Sequence, residues 1–534
     1  MLPFWPPHAA ERYRRAGYWR GATFGELLRE WAKRYADRTA VIDDWGLLSY
    51  AELDREVDGL INGLRQLGLR CGDRVVLQLP NIVEFVLVWF ALLRMGVIPV
   101  HALPGHRALE ITHLARLSEA VGYIIPDQHS RFDYRSLAAA VYTEVATLRH
   151  VIVAGDPGVG TGFTALADLR TDPTSEAEDG PVASDIAVLL LSGGTTGIPK
   201  LIPRTHDDYA YNARASAEVC GLVDDTVYLA VLPVAFNFTM SCPGILGTFG
   251  VGGTIVMAGS PAPETAFRLI ERERVTVTAI NPPLAPLWID EAGRAGRDLS
   301  SLRLIQIGSA RLADDVAFRV EPALGCTLQQ VFGMAEGLLN YTRLDDSVEI
   351  RCTTQGRPLS PDDEIQVVDA TGKPVSQGES GELLTRGPYT LRGYYRAAEY
   401  NTRAFTADGF YRTGDLVRQL PSGHLVVVGR VKDQINRGGE KIAATEVEGH
   451  LLAHPSVTAA ALVAAPDARW GERSVAFLVC HETPPSKSEL ATFLRLRGLA
   501  AYKYPDQVEI LDALPLTAVG KIDKSTLRTR LELE

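Results

Sequence analysis

Ser192-Gly193-Gly194-Thr195-Thr196-Gly197-Ile198-Pro199-Lys200 brings three glycines, three hydroxyls and a lysine together in nine residues, directly after the apolar run Ile186–Leu191. A short apolar run bounded by glycine reads as a buried strand. Glycine carries no Cβ, so the loop that follows lets backbone N–H groups close on an anion. Three hydroxyl donors and one ammonium complete the composition of a phosphate loop. It is not the G-x-x-x-x-G-K-[ST] pattern, because Ile198 and Pro199 separate Gly197 from Lys200, and Leu201 stands where a Mg²⁺-binding hydroxyl belongs. On its own the cluster also fits a solvent-exposed glycine loop, and the rest of the chain has to decide.

Five further clusters set glycine beside charged or hydroxyl residues at the ends of predicted strands. They are Gly308-Ser309-Ala310-Arg311, Phe332-Gly333-Met334-Ala335-Glu336-Gly337, Tyr411-Arg412-Thr413-Gly414-Asp415, Gly438-Gly439-Glu440-Lys441 and Val519-Gly520-Lys521. Ligands of open α/β sheets bind at the carboxyl ends of strands. One such cluster is an ordinary turn; six with complementary chemistry describe a site.

The elements that must position these clusters alternate. Ser49-Tyr50-Ala51-Glu52 is a capping box, followed by the apolar stripe Leu53, Val57, Leu60, Ile61 and Leu64. Strand 74–79, helix 82–95, strand 97–101, helix 107–119 and strand 121–125 follow. Residues 155–184 read as a loop-rich connection into the first motif. A second run alternates helices 207–220, 243–250, 264–273, 283–292 and 313–321 with strands 227–231, 254–257, 277–280, 303–307 and 327–331. Such alternation predicts parallel sheets covered by helices. From Glu364 short strands between Gly, Pro and Asp turns predict a compact β subdomain, and beyond Arg430 comes an α+β unit of about a hundred residues. Residues 1–20 read as a surface strap.

Composition excludes several classes. The chain has 534 residues, 46% hydrophobic and 22% charged, which implies several globular domains. A net charge of −11 disfavours nucleic-acid binding. The six cysteines are scattered without metal-ligand or disulfide-framework spacing, so a reduced, cytoplasmic protein is expected. The apolar stretch Phe85–Leu93 is too short to span a membrane and reads as a buried helix.

In order and spacing the six clusters resemble the adenylate-forming (ANL) superfamily, from about Phe24 to Lys524. The stretches Leu201–Tyr209, Gln330–Gly337 and Lys432–Lys441 look like its standalone aryl-acid AMP ligases of siderophore-type peptide pathways. The resemblance implies an α/β fold with a large N-terminal domain, 1–431, made of two α/β subdomains (to about 360) and a β subdomain (361–431). It implies a small mobile α+β domain, 432–534, hinged at Lys432. It implies ATP and Mg²⁺, with acyl-AMP formed first and the acyl group then passed to a thiol.

Carried residue by residue, Ser192, Gly193, Gly194, Thr195, Thr196, Gly197 and Lys200 would hold phosphates, and Thr196 and Glu336 would place the metal. Gly308, Ser309, Ala310, Val331, Phe332 and Gly333 would flank the nucleotide. Asp415 would accept the ribose hydroxyls, with Arg430 near the ribose and phosphate. Lys521 would bridge the substrate carboxylate and the α-phosphate. Gly438, Gly439, Glu440 and Lys441 would line a thiol tunnel after rotation about Lys432. Phe236, Asn237, Phe238, Cys242, Gly308, Met334 and Leu339 would surround the aryl acid. This subgroup usually has His-Asn where the chain has Phe236-Asn237, so Phe236 is a departure and is expected to act as an aromatic gate. Relatives that use 2,3-dihydroxybenzoate tend to carry Ser and Val where this chain has Cys242 and Leu339, and salicylate users carry Cys and Leu. The expectation is salicylate, with 2,3-dihydroxybenzoate or a substituted salicylate as the alternative. The stretch after Lys521 is too short for a carrier segment, so a phosphopantetheinylated aryl carrier protein or free coenzyme A is the expected acceptor. No membrane or nucleic-acid partner is expected, and either a monomer or a homodimer fits.

Overall fold

The computed structural model describes residues 5–172, 180–192, 199–294, 296–437, 440–467, 469–481, 483–517 and 520–532. Gly193, Gly194, Thr195, Thr196 and Gly197, the pair Gly438 and Gly439, and the Lys441 side chain lie outside that description.

Two large sheets carry the N-terminal part. In the seven-stranded one, Ile98–His101, Arg74–Leu77, Gly122–Pro126 and His150–Ala154 run parallel, and Ile186–Leu191 joins parallel to Ile98–His101. Leu201–Thr205 then pairs antiparallel with Ile186–Leu191 at the sheet edge, so the two strands that flank the expected phosphate loop form an edge hairpin. Its neck is closed by the Ser192 N–H to the Lys200 carbonyl at 2.9 Å and the Lys200 N–H to Ser192 Oγ at 3.0 Å. The nine-stranded sheet centres on the parallel strands Thr254–Met257, Val227–Ala230, Val277–Ile280, Leu304–Gly308 and Thr327–Gly333.

The predicted buried helix is Val83–Arg94, and every residue from Phe85 to Leu93 is buried. A helix apolar on all faces has to be covered on all faces. Here Trp89 meets Phe24 at 5.2 Å, and Phe90 meets Trp31 and Phe249 at 6.3 and 6.1 Å. The Ser49/Glu52 capping box is present on Tyr50–Leu67, and Thr23 with Glu26 forms another on Phe24–Arg34. No helix among the described residues is long and apolar enough to cross a membrane, and all six cysteines are unpaired.

A four-stranded antiparallel sheet, Glu364–Val368, Ser380–Arg386, Tyr411–Gln419 and Leu425–Arg430, forms the β unit. The smaller C-terminal part has a five-stranded sheet of its own, built on Val457–Asp467 and Gly471–Cys480. Its apolar core is separate, with Ile435, Val447, Leu462, Leu478 and Leu494 at the centre.

Three expectations change. The N-terminal strap is a helix, Pro7–Arg15, whose Tyr13 is buried together with Trp19 just beyond it. The Trp19 indole donates to the Pro388 carbonyl at 3.0 Å, and Tyr18 stacks on Tyr211 at 4.7 Å. The aromatic residues that looked like surface decoration thus tie the first turn of chain to the β unit. The connection after residue 155 includes a short strand, Thr164–Ala165, and a 3₁₀ turn with Leu166 and Leu169 buried. The Tyr411–Asp415 cluster opens a nine-residue strand instead of ending one.

Candidate active site

A cavity of about 1320 Å³ lies between the N-terminal part and the C-terminal domain. Ser192, Lys200, Ser309, Val331, Gly333, Glu336, Arg430, Lys432 and Lys521, scattered over three hundred residues of sequence, all line it. So do Phe236, Asn237, Phe238, Cys242, Met334 and Leu339.

Where the aryl acid is expected, Cys242 is 1% and Leu339 2% exposed, while Asn237 is nearly buried. Asn237 sits in the first turn of the short helix Asn237–Ser241. Its carbonyl oxygen accepts the Tyr209 hydroxyl at 2.9 Å, and its NH₂ points to Cys242 Sγ at 3.5 Å. The amide therefore keeps donor capacity for an oxyanion, which is the polarity a carboxylate needs. Burial pushes the Cys242 thiol up to about 11, so it stays protonated and a weak donor. Leu339 packs over Gly333: a Cβ there would lie 2.4 Å from Leu339 Cδ2. The loop holding Phe236 is anchored from the other sheet. Asn81 donates to the Ala230 and Leu232 carbonyls and accepts the Val234 N–H. His101 Nδ1 pairs with the Ala235 carbonyl at 2.9 Å while its Nε2 accepts the Trp89 indole at 2.9 Å.

Glu336 is 7% exposed and accepts the Tyr394 hydroxyl at 2.8 Å, which also pairs with the Tyr411 hydroxyl at 2.8 Å. Burial raises its pKa above the usual carboxylate range. Among the described residues no cluster of three His, Cys, Asp or Glu could hold a metal unaided. Mg²⁺ usually keeps its waters and binds through one or two carboxylates plus substrate phosphates. A lone Glu336 lining the same cavity as Ser192 and Lys200 fits that donor set.

Asp415 is 4% exposed, and Arg430 Nε donates to its Oδ1 at 2.8 Å across paired strands. That pairing fixes the orientation of the Asp415 carboxylate; its neighbours Thr413 and Gly414 line the cavity, and Asp415 itself is off the lining. Lys521 closes the cavity from the C-terminal domain. Its turn is tied by the Thr517 N–H to the Lys521 carbonyl at 2.7 Å. Gly520, at φ +73°, lies so close to the core that a Cβ would stand 2.9 Å from Asn281 Nδ2. Burial first, then Arg430, push Lys521 down to about 8, against the pull of Asp415 and Glu336. If the Lys521 ammonium serves adenylation, that pKa has a rate consequence. The kcat/KM for adenylation should be level below pH 7.5 and fall as pH rises through about 8. A Lys521→Arg variant should move or remove that limb; a flat wild-type profile to pH 9.5 would show that Lys521 does not titrate in the free enzyme.

Not every expected residue reaches the cavity. Phe332 packs instead against Leu338, Leu383, Val417 and Leu425, because alternate side chains of its strand face the β unit. Gly308 lies behind the lining, where a Cβ would stand 3.1 Å from the Phe238 ring, and Ala310 is also off the lining. Glu440 is exposed on Glu440–Ala443 and away from the cavity, whereas Lys521 of the same domain lines it. Thr196, with Gly193, Gly194, Thr195 and Gly197, and Gly438, Gly439 and the Lys441 side chain fall outside the described residues. His206 and Arg311 have structural tasks. His206 Nδ1 accepts the Phe24 N–H at 3.1 Å, and Arg311 bonds Asp314 at 3.0 Å and the Val427 carbonyl at 3.3 Å.

Sequence reading missed Tyr394, Tyr400 and Arg403, which line the cavity beside Lys200. Tyr394 and Tyr395 follow Gly393 with no periodicity, and Tyr400 and Arg403 sit on the short helix Ala398–Ala404. The only available signal was two tyrosines and a basic residue just upstream of Tyr411-Arg412.

Residues 28–395 match the AMP-binding enzyme family and residues 446–521 the AMP-binding enzyme C-terminal domain. The chain belongs to the AMP-binding enzyme family. It is 55% identical over 524 residues to a 2,3-dihydroxybenzoate-AMP ligase of Bacillus subtilis, covering 98% of this chain and 96% of that one. It is 51% identical over 538 residues to a salicyl-AMP ligase / salicyl-S-ArCP synthetase of Mycobacterium tuberculosis, covering 99% and 94%. The solved apo structure of MbtA from Mycobacterium smegmatis superposes with a TM-score of 0.77 at 48% identity, covering 99% of both chains. Within the family the chain therefore groups with the adenylate-forming, standalone aryl-acid AMP ligases, and its fold is that of the ANL superfamily.

Proposed function

We propose that the chain activates salicylate with ATP, releases pyrophosphate, and passes the salicyl group from salicyl-AMP to the phosphopantetheine thiol of a separate aryl carrier protein. The observation that carries the choice of acid is the pair Cys242 and Leu339, both buried and both lining the cavity beside Asn237. A 3-hydroxyl set against a thiol and a leucine finds a poor partner. Leaving it so costs about 1–3 kcal/mol, or roughly tenfold to a hundredfold in selectivity. Overall identity does not choose the acid, because the two relatives above are named for different acids.

In the first step a carboxylate oxygen attacks the α-phosphorus, and the bond to the bridging oxygen breaks. The electron pair leaves with pyrophosphate. Negative charge builds between two groups that repel each other, so a preorganised cation is the effective catalyst. Lys521 supplies it, Asp415 orients the ribose, and Asn237 donates to the acid. When bound, Mg²⁺ would be held by Glu336 and Thr196 and would neutralise phosphate charge. For the second step the C-terminal domain, 432–534, rotates about Lys432 and exchanges Lys521 for the segment Gly438–Lys441 at the cavity. The Lys521-facing pose described above supports the adenylating half of that cycle.

Pyrophosphate exchange over a panel of hydroxybenzoates tests the reading. Salicylate should give the highest kcat/KM, and the Cys242→Ser/Leu339→Val double variant should move preference toward 2,3-dihydroxybenzoate by about tenfold or more. No exchange with any aryl acid would refute the adenylating activity. A wild-type preference for 2,3-dihydroxybenzoate would refute only the choice of acid. A product assay with free coenzyme A and no carrier protein separates the remaining alternative, an aryl-CoA ligase.

A further inference from the structure

The part of the cavity wall that holds Lys200 carries a charge arrangement that the roles above leave unexplained. Lys200 Nζ stands 4.0 Å above the Tyr400 ring and 5.5 Å from the Tyr394 ring. Arg403, one turn along the same helix, lies with Cζ 5.0 Å from the same Tyr400 ring. Lys200, Tyr400 and Arg403 all line the cavity. Among the described residues neither cation has a carboxylate in ion-pair contact, whereas most arginines of the chain do. The aromatic faces hold the two cations in place without neutralising them. Burial lowers the Lys200 pKa, and nearby Arg403 lowers it further against the pull of Glu336. Two like charges gathered on one concave wall are stabilised by an anion that touches both.

Resting on the adenylating reading, we propose that Arg403 is a second anchor, beside Lys200, for the β- and γ-phosphates of ATP and so for the leaving pyrophosphate. Lys200 enters from the neck of the phosphate hairpin, and Arg403 from the short helix Ala398–Ala404. Tyr400 is the spacer that keeps them on opposite edges of the anion. A planar guanidinium suits two phosphate oxygens at once, which an ammonium cannot match. Because the pyrophosphate group is remote from the acid, its anchors should act on the nucleotide and pyrophosphate side only.

ATP–pyrophosphate exchange with full-length Arg403→Ala and Arg403→Lys, varying inorganic pyrophosphate, ATP and salicylate in turn, tests this. Arg403→Ala should raise the KM for pyrophosphate and for ATP by about tenfold to a hundredfold. The KM for salicylate and thiol transfer from pre-formed salicyl-AMP should stay unchanged, and Arg403→Lys should recover much of the loss. An unchanged pyrophosphate KM would overturn the assignment, as would an equal rise in the salicylate KM, which marks general disruption of the site. Failure of wild-type protein to exchange with any aryl acid would strike the adenylating reading itself and is seen independently of the variants.

Discussion

Replacing Lys521 with alanine should lower aryl-acid-dependent pyrophosphate exchange by about a hundredfold to a thousandfold. Thioester formation from pre-formed aryl-AMP should be nearly unaffected. The asymmetry follows from what the ammonium meets. It lines the cavity within the field of Asp415 and Glu336, on a turn fixed by Thr517 and pressed against Asn281. In the proposed adenylation step it would offset charge that develops between carboxylate and α-phosphate. In thiol transfer that charge has already been spread into the adenylate and leaves with AMP. Rapid quench on each half-reaction is the measurement. Equal loss in both would mean that Lys521 holds the domain in place and does not act on the reacting atoms. Loss in neither would mean that another cation does the work. Lys521→Arg should recover part of the exchange, since charge is restored with altered geometry.

Asp208→Asn should destabilise the N-terminal part by about 3–5 kcal/mol, the cost of leaving a buried charge without its partner. Arg204 and Asp208 both have 0% side-chain exposure and meet at 2.7 Å. Asp208 also accepts the Thr205 N–H and hydroxyl at 3.0 and 3.1 Å, which caps the helix His206–Val219. The other end of the guanidinium donates to the Ala335 carbonyl at 3.1 Å, one residue before Glu336. Releasing Arg204 therefore loosens the loop that carries Glu336. The expected result is a large drop in the thermal midpoint together with weaker exchange at saturating ATP. A neutral, volume-matched double replacement, Arg204→Met with Asp208→Leu, should recover much of the stability but not the exchange. If Asp208→Asn melts within a degree of wild type, water reaches the pair and the burial argument fails. If the double variant exchanges normally, the tie to Ala335 does not matter to Glu336.

Much of the chain was legible in sequence because its signals are local. Ser49 with Glu52 forms its capping box from four residues, and Phe85–Leu93 is apolar on every face and is buried on every face. Most strand and helix positions after residue 200 fall within a few residues of their observed bounds, since most of these strands are short runs rich in Val, Ile, Leu and Thr. The N-terminal segment looks like a surface strap in sequence because Pro388 and Tyr211, the partners of Trp19 and Tyr18, lie far along the chain. A buried Trp19 and an exposed aromatic look alike until the other surface is present.

Sequence by itself determined the chemistry on offer: a phosphate loop, a glutamate after Gly333-Met334-Ala335, an aspartate after Gly414, a lysine after Gly520, and the Cys242 and Leu339 pair. Those are properties of residue type and spacing, and the family resemblance read from them is what the match over 28–395 and 446–521 bears out. Tertiary structure alone decided which side chains meet. Strand pairing puts Arg430 on Asp415, and strand alternation turns Phe332 away from the cavity. Domain packing brings Lys521, not Glu440, to the site, and the helix Ala398–Ala404 sets Tyr400 and Arg403 beside Lys200. The physical reason is the same in each case. Contact between residues distant in sequence depends on the register and facing of the elements that carry them, and neither is encoded in the few residues of a motif.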